Sequence, residues 1–152
     1  MADDLQALED WAGALLNRLQ PAERRKVTQS VARDLRRSQQ QRIAAQKNAD
    51  GTPYAPRKPR KSLRAKAGRI KQRRMFAKLR TARYLRLQSD ADSIAIGFAG
   101  RVSRIARVHQ YGLRDRPGQG APDTSYARRQ LLGFSAADLE LIRDRLVEQL
   151  VP

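Results

Sequence analysis

A chain of 152 residues, 40% apolar and 5% aromatic, suits one domain whose core is built mostly from Leu, Ile, Val and Ala. It has no cysteine and one histidine, which excludes disulfide staples, thiol nucleophiles and a His-rich metal site; its longest apolar runs are too short to cross a bilayer. The net charge of +17 is unevenly placed: residues 1–23 carry a net −4 and residues 135–152 a net −2, while Ala55 to Ser89 holds fourteen Lys or Arg and no acid.

Residues 4–19 read as an amphipathic helix, with Leu5, Leu8, Ala12, Leu15, Leu16 and Leu19 at helical spacing and Trp11 beside that stripe. Pro21 ends it and suits the first turn of a second helix, expected from about Ala22 to Lys47. The second stripe, Val27, Val31, Leu35, Ser38 and Arg42 or Ile43, weakens along the helix. Its C-terminal end is therefore expected to be exposed, or covered only by a partner. Asn48 to Pro59 is punctuated by Asp50-Gly51 and three prolines. Residues 60–74 alternate Lys/Arg with small residues and offer too little apolar surface to fold alone. A basic arm, flexible or ordered by a partner, is expected at about 50–74.

Met75, Phe76 and Leu79 suggest a short helical turn docked on the core. Tyr84–Ser89 and Ser93–Phe98 alternate as two strands around the turn Asp90-Ala91-Asp92, a β-hairpin with Leu85, Leu87, Ile94, Ile96 and Phe98 as the apolar positions. Gly100 ends the hairpin, and helical spacing returns from Arg101 to Tyr111, with Gly112 placed to cap it. Residues 113–125 read as a loop and Tyr126–Phe134 as a third extended segment. Ser135 and Asp138 form a capping-box-like start to a last helix bearing Leu139, Ile142, Leu146 and Leu150 on one face. The expected fold class is α+β: a small antiparallel sheet, hairpin plus one further strand, flanked by N-terminal, middle and C-terminal helices. All of it forms a single domain.

No catalytic constellation appears. His109 is a general base only in principle: Arg104 and Arg107 lie in its helical reach, but no orienting carboxylate does, so a packing role is expected. Residues 112–120 match neither phosphate-binding glycine pattern. The carboxylate pairs Asp3-Asp4, Glu9-Asp10 and Asp90/Asp92 fall at helix starts or in a turn, where acids serve the helix dipole or the turn itself. No cofactor, metal, small-molecule or membrane partner is expected. The basic stretch is the candidate contact surface: Arg57, Lys58, Arg60, Lys61, Arg64, Lys66, Arg69, Lys71, Arg73 and Arg74. It would meet acidic protein surfaces or, through phosphates, DNA of any sequence, with Tyr54 and Phe76 near its ends able to stack on bases.

Four stretches resemble the phage virion morphogenesis, or S-type tail completion, proteins of contractile-tailed temperate phages. They are SQQQRIAAQKNADGTPYAPRKP at 38–59, RMFAKL at 74–79, GFAGRVSRIARVHQYGL at 97–113 and LLGFS at 131–135, in the family's order. The residues carrying the match are Gly51, Pro53, Tyr54, Pro56, His109, Gly112, Leu131, Leu132, Gly133 and Phe134. One departure is that Tyr126–Gln130 lacks the prolines common before LLGF, which would stiffen that segment.

The resemblance implies a non-enzymatic virion protein that caps the head-proximal end of the tail tube so that the tail joins a filled head. It also implies a homo-oligomeric ring, expected to be a hexamer, in the tail–neck region of the virion after assembly in the host cytoplasm. The implied neighbours are the tail tube or tail terminator and the neck and connector proteins, with DNA passing through the channel. Two rivals stand beside it: a non-specific DNA-binding protein of the neck channel, and a tail terminator or assembly factor.

Overall fold

The computed structural model describes residues 2–58 and 74–150. α1 (Ala2–Leu16) and α2 (Pro21–Ala44) are followed by a hairpin of β1 (Leu85–Ser89) and β2 (Ile94–Phe98) and by α3 (Val102–Tyr111). The two-residue strands β3 (Arg114–Asp115) and β4 (Thr124–Ser125) then lead to α4 (Ala136–Leu150). Helices and small antiparallel sheets give the α+β class read from the sequence.

α2 is the axis on which the hairpin and α4 pack, while α1 lies along α4 and α3 against β2. Its first half offers Val27, Val31 and Leu35 to Leu146 of α4, and Ala12, Leu16, Leu19, Ile94 and Ile96 close around them. Its last turn offers Ile43 to Tyr54, Ala106 and Leu131, with Met75, Phe76 and Phe98 at the margin. Two apolar clusters are thus strung along one helix.

The first helix is shorter than its stripe. It ends at Leu16 because Pro21 forces Gln20 into extended backbone (ψ 150°), so Leu19 reaches the core from a turn rather than from the helix. α2 opens with Pro21 in its first turn, as expected, and stops at Ala44 because Gln46 adopts a left-handed conformation (φ 59°). The weak end of its stripe is not exposed, as the sequence suggested. Ile43 is fully buried and Gln39 is 4% exposed, because distant loops cover this end.

The hairpin forms where the alternation placed it, each strand starting one residue later than expected. Leu85 faces Phe98 and Leu87 faces Ile96, so the alternating apolar residues share one face. Asp90 closes its turn by accepting hydrogen bonds from the backbone N–H groups of Asp92 (2.8 Å) and Ser93 (2.7 Å), which hold its carboxyl below the usual range. Thr28 anchors the same turn to α2 by donating its hydroxyl to the Asp90 carbonyl. α3 ends as predicted on Gly112 in the left-handed region (φ 63°).

The further strand differs from expectation. β3 and β4 form a separate two-stranded ladder inside the stretch read as a loop, and Tyr126–Phe134 pairs with no strand among the described residues. Its polar backbone is satisfied largely by side chains, with Tyr126 and Arg129 N–H donating to the carbonyls of Leu113 and His109, which no hydrophobic alternation could signal. The capping box is real: Asp138 accepts from Ser135 N–H (2.9 Å) and Ser135 Oγ accepts from Asp138 N–H (3.1 Å).

Candidate assembly interface

The residues singled out by the sequence converge at the C-terminal end of α2. The segment 46–56 folds back as a tight loop: Lys47 bridges to Pro53, Gly51 takes φ 87°, and Tyr54 N–H donates to the Gln46 carbonyl at 2.7 Å. Tyr54, 6% exposed, stacks edge-on against Phe76, Phe76 against His109, and His109 against Tyr126, with ring centroids 5.8, 4.8 and 5.0 Å apart. Neither Tyr54 nor Phe76 is a free stacking platform for bases. Both are part of this aromatic row.

Side-chain hydrogen bonds fasten the row to Tyr126–Phe134. Arg129, 5% exposed, donates to the carbonyls of Ala55 (2.8 Å) and Pro56 (2.9 Å), and its remaining nitrogen stands 3.3 Å from His109 Nδ1. Burial, then the charges of Arg129 and Arg57, pushes the imidazole down to about 4. The ring is neutral at pH 7 and accepts from Arg129, with its proton on Nε2. His109 therefore packs and anchors, as the sequence reading expected.

Gln130 extends the pattern. Its carbonyl accepts from Tyr54 Oη (2.8 Å) and Arg42 (2.9 Å), its N–H donates to Asn48 Oδ1 (2.8 Å), and its side-chain oxygen accepts from Ala49 N–H (3.2 Å). Burial pushes the Tyr54 phenol up to about 12, partly offset by Arg42, and also lowers the Arg42 guanidinium. Gln110 of α3 accepts from the N–H groups of Leu131 (2.8 Å) and Leu132 (2.9 Å) and donates to the Leu132 carbonyl (2.8 Å). These bonds hold the segment, which carries no proline, against α2 and α3.

Two glycines make the close approaches possible. A Cβ on Gly112 would stand 3.0 Å from Arg128 N, and one on Gly133 would stand 2.5 Å from the Gln130 amide. Leu131 is fully buried and Leu132 half-buried, whereas Phe134 is 41% exposed. The matched residues are thus mostly scaffold.

The basic candidates divide. Arg57, Lys58 and Arg74 are exposed on the surface of this knot, and Lys58 Nζ donates to the Ser125 carbonyl at 2.8 Å. The arm's first part, 50–58, is thus packed on the body. Arg60, Lys61, Arg64, Lys66, Arg69, Lys71 and Arg73 lie outside the described residues. Sequence reasoning missed Gln39, Gln110, Arg129 and Gln130, and gave Asp138 a capping role and Arg42 a place on the α2 stripe without their buried bonds to distant segments. The only local sign was the Ser135/Asp138 spacing.

Among the described residues no group of three His, Asp or Glu stands close enough to hold a metal, and no helix is long and apolar enough to cross a membrane. A recess of about 740 Å³ between α1, α2 and β2 is lined mainly by aliphatic chains, among them Leu8, Val27, Val31, Ile94 and Ile96.

A model of the phage virion morphogenesis family matches residues 3–151. The chain belongs to the phage virion morphogenesis family. A curated relative, tail completion protein S of Escherichia phage P2, is 39% identical over 149 residues, covering 97% of this chain and 98% of that protein. No solved structure matches the chain. In this virion morphogenesis protein, then, the knot joins the stretches that carried the family resemblance, 46–56, α3 and 131–134, through Tyr126, Arg129 and Gln130 of the segment that departs from them.

Proposed function

We propose that the chain is a non-enzymatic structural subunit that completes the phage tail and readies its head-proximal end to join a filled head. The observation that carries this reading is the similarity, over nearly the whole of both chains, to a protein named for tail completion. The use of matched residues such as Tyr54 and His109 as scaffold agrees with it, because they hold loops together rather than facing a substrate. In this reading the subunits form a ring, six by family expectation, in the tail–neck region. One side meets the tail tube or terminator and the other the connector, and the basic segment 57–74 contacts acidic surfaces of these neighbours.

The rival reading, a non-specific DNA contact in the neck channel, is favoured by exposed arginines such as Arg83, Arg86, Arg101 and Arg107. Deleting the gene should leave filled heads and separate, finished-length tails in the lysate. Empty heads, or no tails, would place the protein in packaging or tube formation instead. Mass spectrometry of purified virions separates a resident subunit from an assembly factor that leaves. Replacing Arg60, Lys61, Arg64, Lys66, Arg69 and Lys71 by Gln should block joining if the segment docks on protein. Normal particles from that variant, with wild-type DNA retention that falls steeply as salt rises, would favour the channel contact.

A further inference from the structure

Charge on the described surface is uneven: α1 carries acids and no base, α3 and its flanks expose arginines, and the arginines of α4, Arg143 and Arg145, are paired with Glu140, Asp34 and Glu148. α1 and α4 lie side by side and expose Asp3, Asp10 and Asp144, which form no ion pair among the described residues. On the same two helices Trp11 is 38% and Val147 46% exposed. α3, packed on β2 and against the end of α2, exposes Arg101 and Arg107, each four residues before a protruding apolar side chain. Those side chains are Ile105 and Tyr111, 48% and 65% exposed, and Leu113 and Arg114 continue the surface beyond the helix.

Each surface therefore combines exposed large apolar groups with flanking charge, the composition of a protein–protein contact. The signs are opposite, and the two surfaces share no element. Opposite patches on one molecule make a heterologous pair, which generates a ring when the rotation closes. We infer that the acidic α1–α4 surface of one copy docks on the arginine surface of α3 in the next, joining subunits head to tail. This rests on the ring reading above and adds which surfaces meet. A second copy fits better than DNA for two reasons. Ile105 and Leu113 have no role against phosphates, and the complementary acidic surface is carried by every copy of the chain. Arg104 is left out of the contact because it is already paired with Asp115.

Two full-length variants test the pairing by sedimentation velocity, after circular dichroism confirms that both fold. One reverses the acidic surface with Asp3→Lys, Asp10→Lys and Asp144→Lys; the other reverses α3's surface with Arg101→Glu, Arg107→Glu and Arg114→Glu. The wild type should self-associate, and each variant alone should associate at least tenfold more weakly. An equimolar mixture should regain association, since reversed surfaces match each other and native surfaces still match. Undiminished association of either variant, or no rescue on mixing, would overturn the pairing while leaving a ring built through other surfaces. Loss of DNA retention by the arginine variant with unchanged self-association would assign that surface to DNA. A wild type that stays monomeric at all concentrations, and single-copy in isolated tails, would remove the ring reading itself.

Discussion

Arg129 carries a guanidinium into a nearly closed site where its partners are two carbonyls and an imidazole rather than a carboxylate. Such a site works only if the imidazole stays neutral, and this sets a pH dependence. In the unfolded chain the His109 imidazole titrates near 6.5, and in the fold at about 4. Between those values the unfolded chain binds a proton that the folded chain refuses, so the contribution is complete above about pH 6.5 and is lost as pH falls toward 4. The urea midpoint of the wild type should drop between pH 7 and pH 5. In His109→Gln the starting midpoint is lower and that drop shrinks. Equal drops in both proteins would mean that His109 is not the source.

At the scale of elements, α4 begins where three donors meet one carboxylate. Asp138, 1% exposed, accepts from Ser135 N–H, Gln39 Nε2 and the Ser38 hydroxyl, and its own N–H is capped by Ser135. The carboxylate thereby ties α4 to the middle of α2. Ser135→Ala removes an ordinary cap and should cost about 1 kcal/mol. Asp138→Ala strands buried donors on two helices and should cost about 3 kcal/mol. Urea denaturation of the two variants checks the order; equal losses would reduce Asp138 to a cap alone.

Across the whole molecule, α2 couples two clusters that share no buried side chain. Trp11, the single tryptophan, sits on α1 at the first cluster's end, whereas Ile43 sits in the second. Ile43→Ala should destabilise by about 2–5 kcal/mol. If the helix makes one cooperative unit, Trp11 fluorescence and far-ultraviolet circular dichroism should shift together in that variant. A fluorescence transition left in place would mean that the clusters melt separately.

Local periodicity by itself determined the helices, the hairpin with its apolar face, the glycine cap of α3 and the Ser135–Asp138 box, because each depends on neighbours a few residues apart. The family resemblance was legible for the same reason, since its motifs are short and contiguous. Only the tertiary structure decided that the polar end of α2 is buried, that β3 and β4 pair apart from the hairpin, and that Tyr126–Phe134 is not a strand. The partners responsible, such as Arg129 with Pro56 and Gln130 with Asn48, lie more than seventy residues apart. A buried glutamine or arginine reads from the sequence as a surface residue. It becomes core only when the fold brings carbonyls and N–H groups to it, because burial without those partners would cost more than the contact returns.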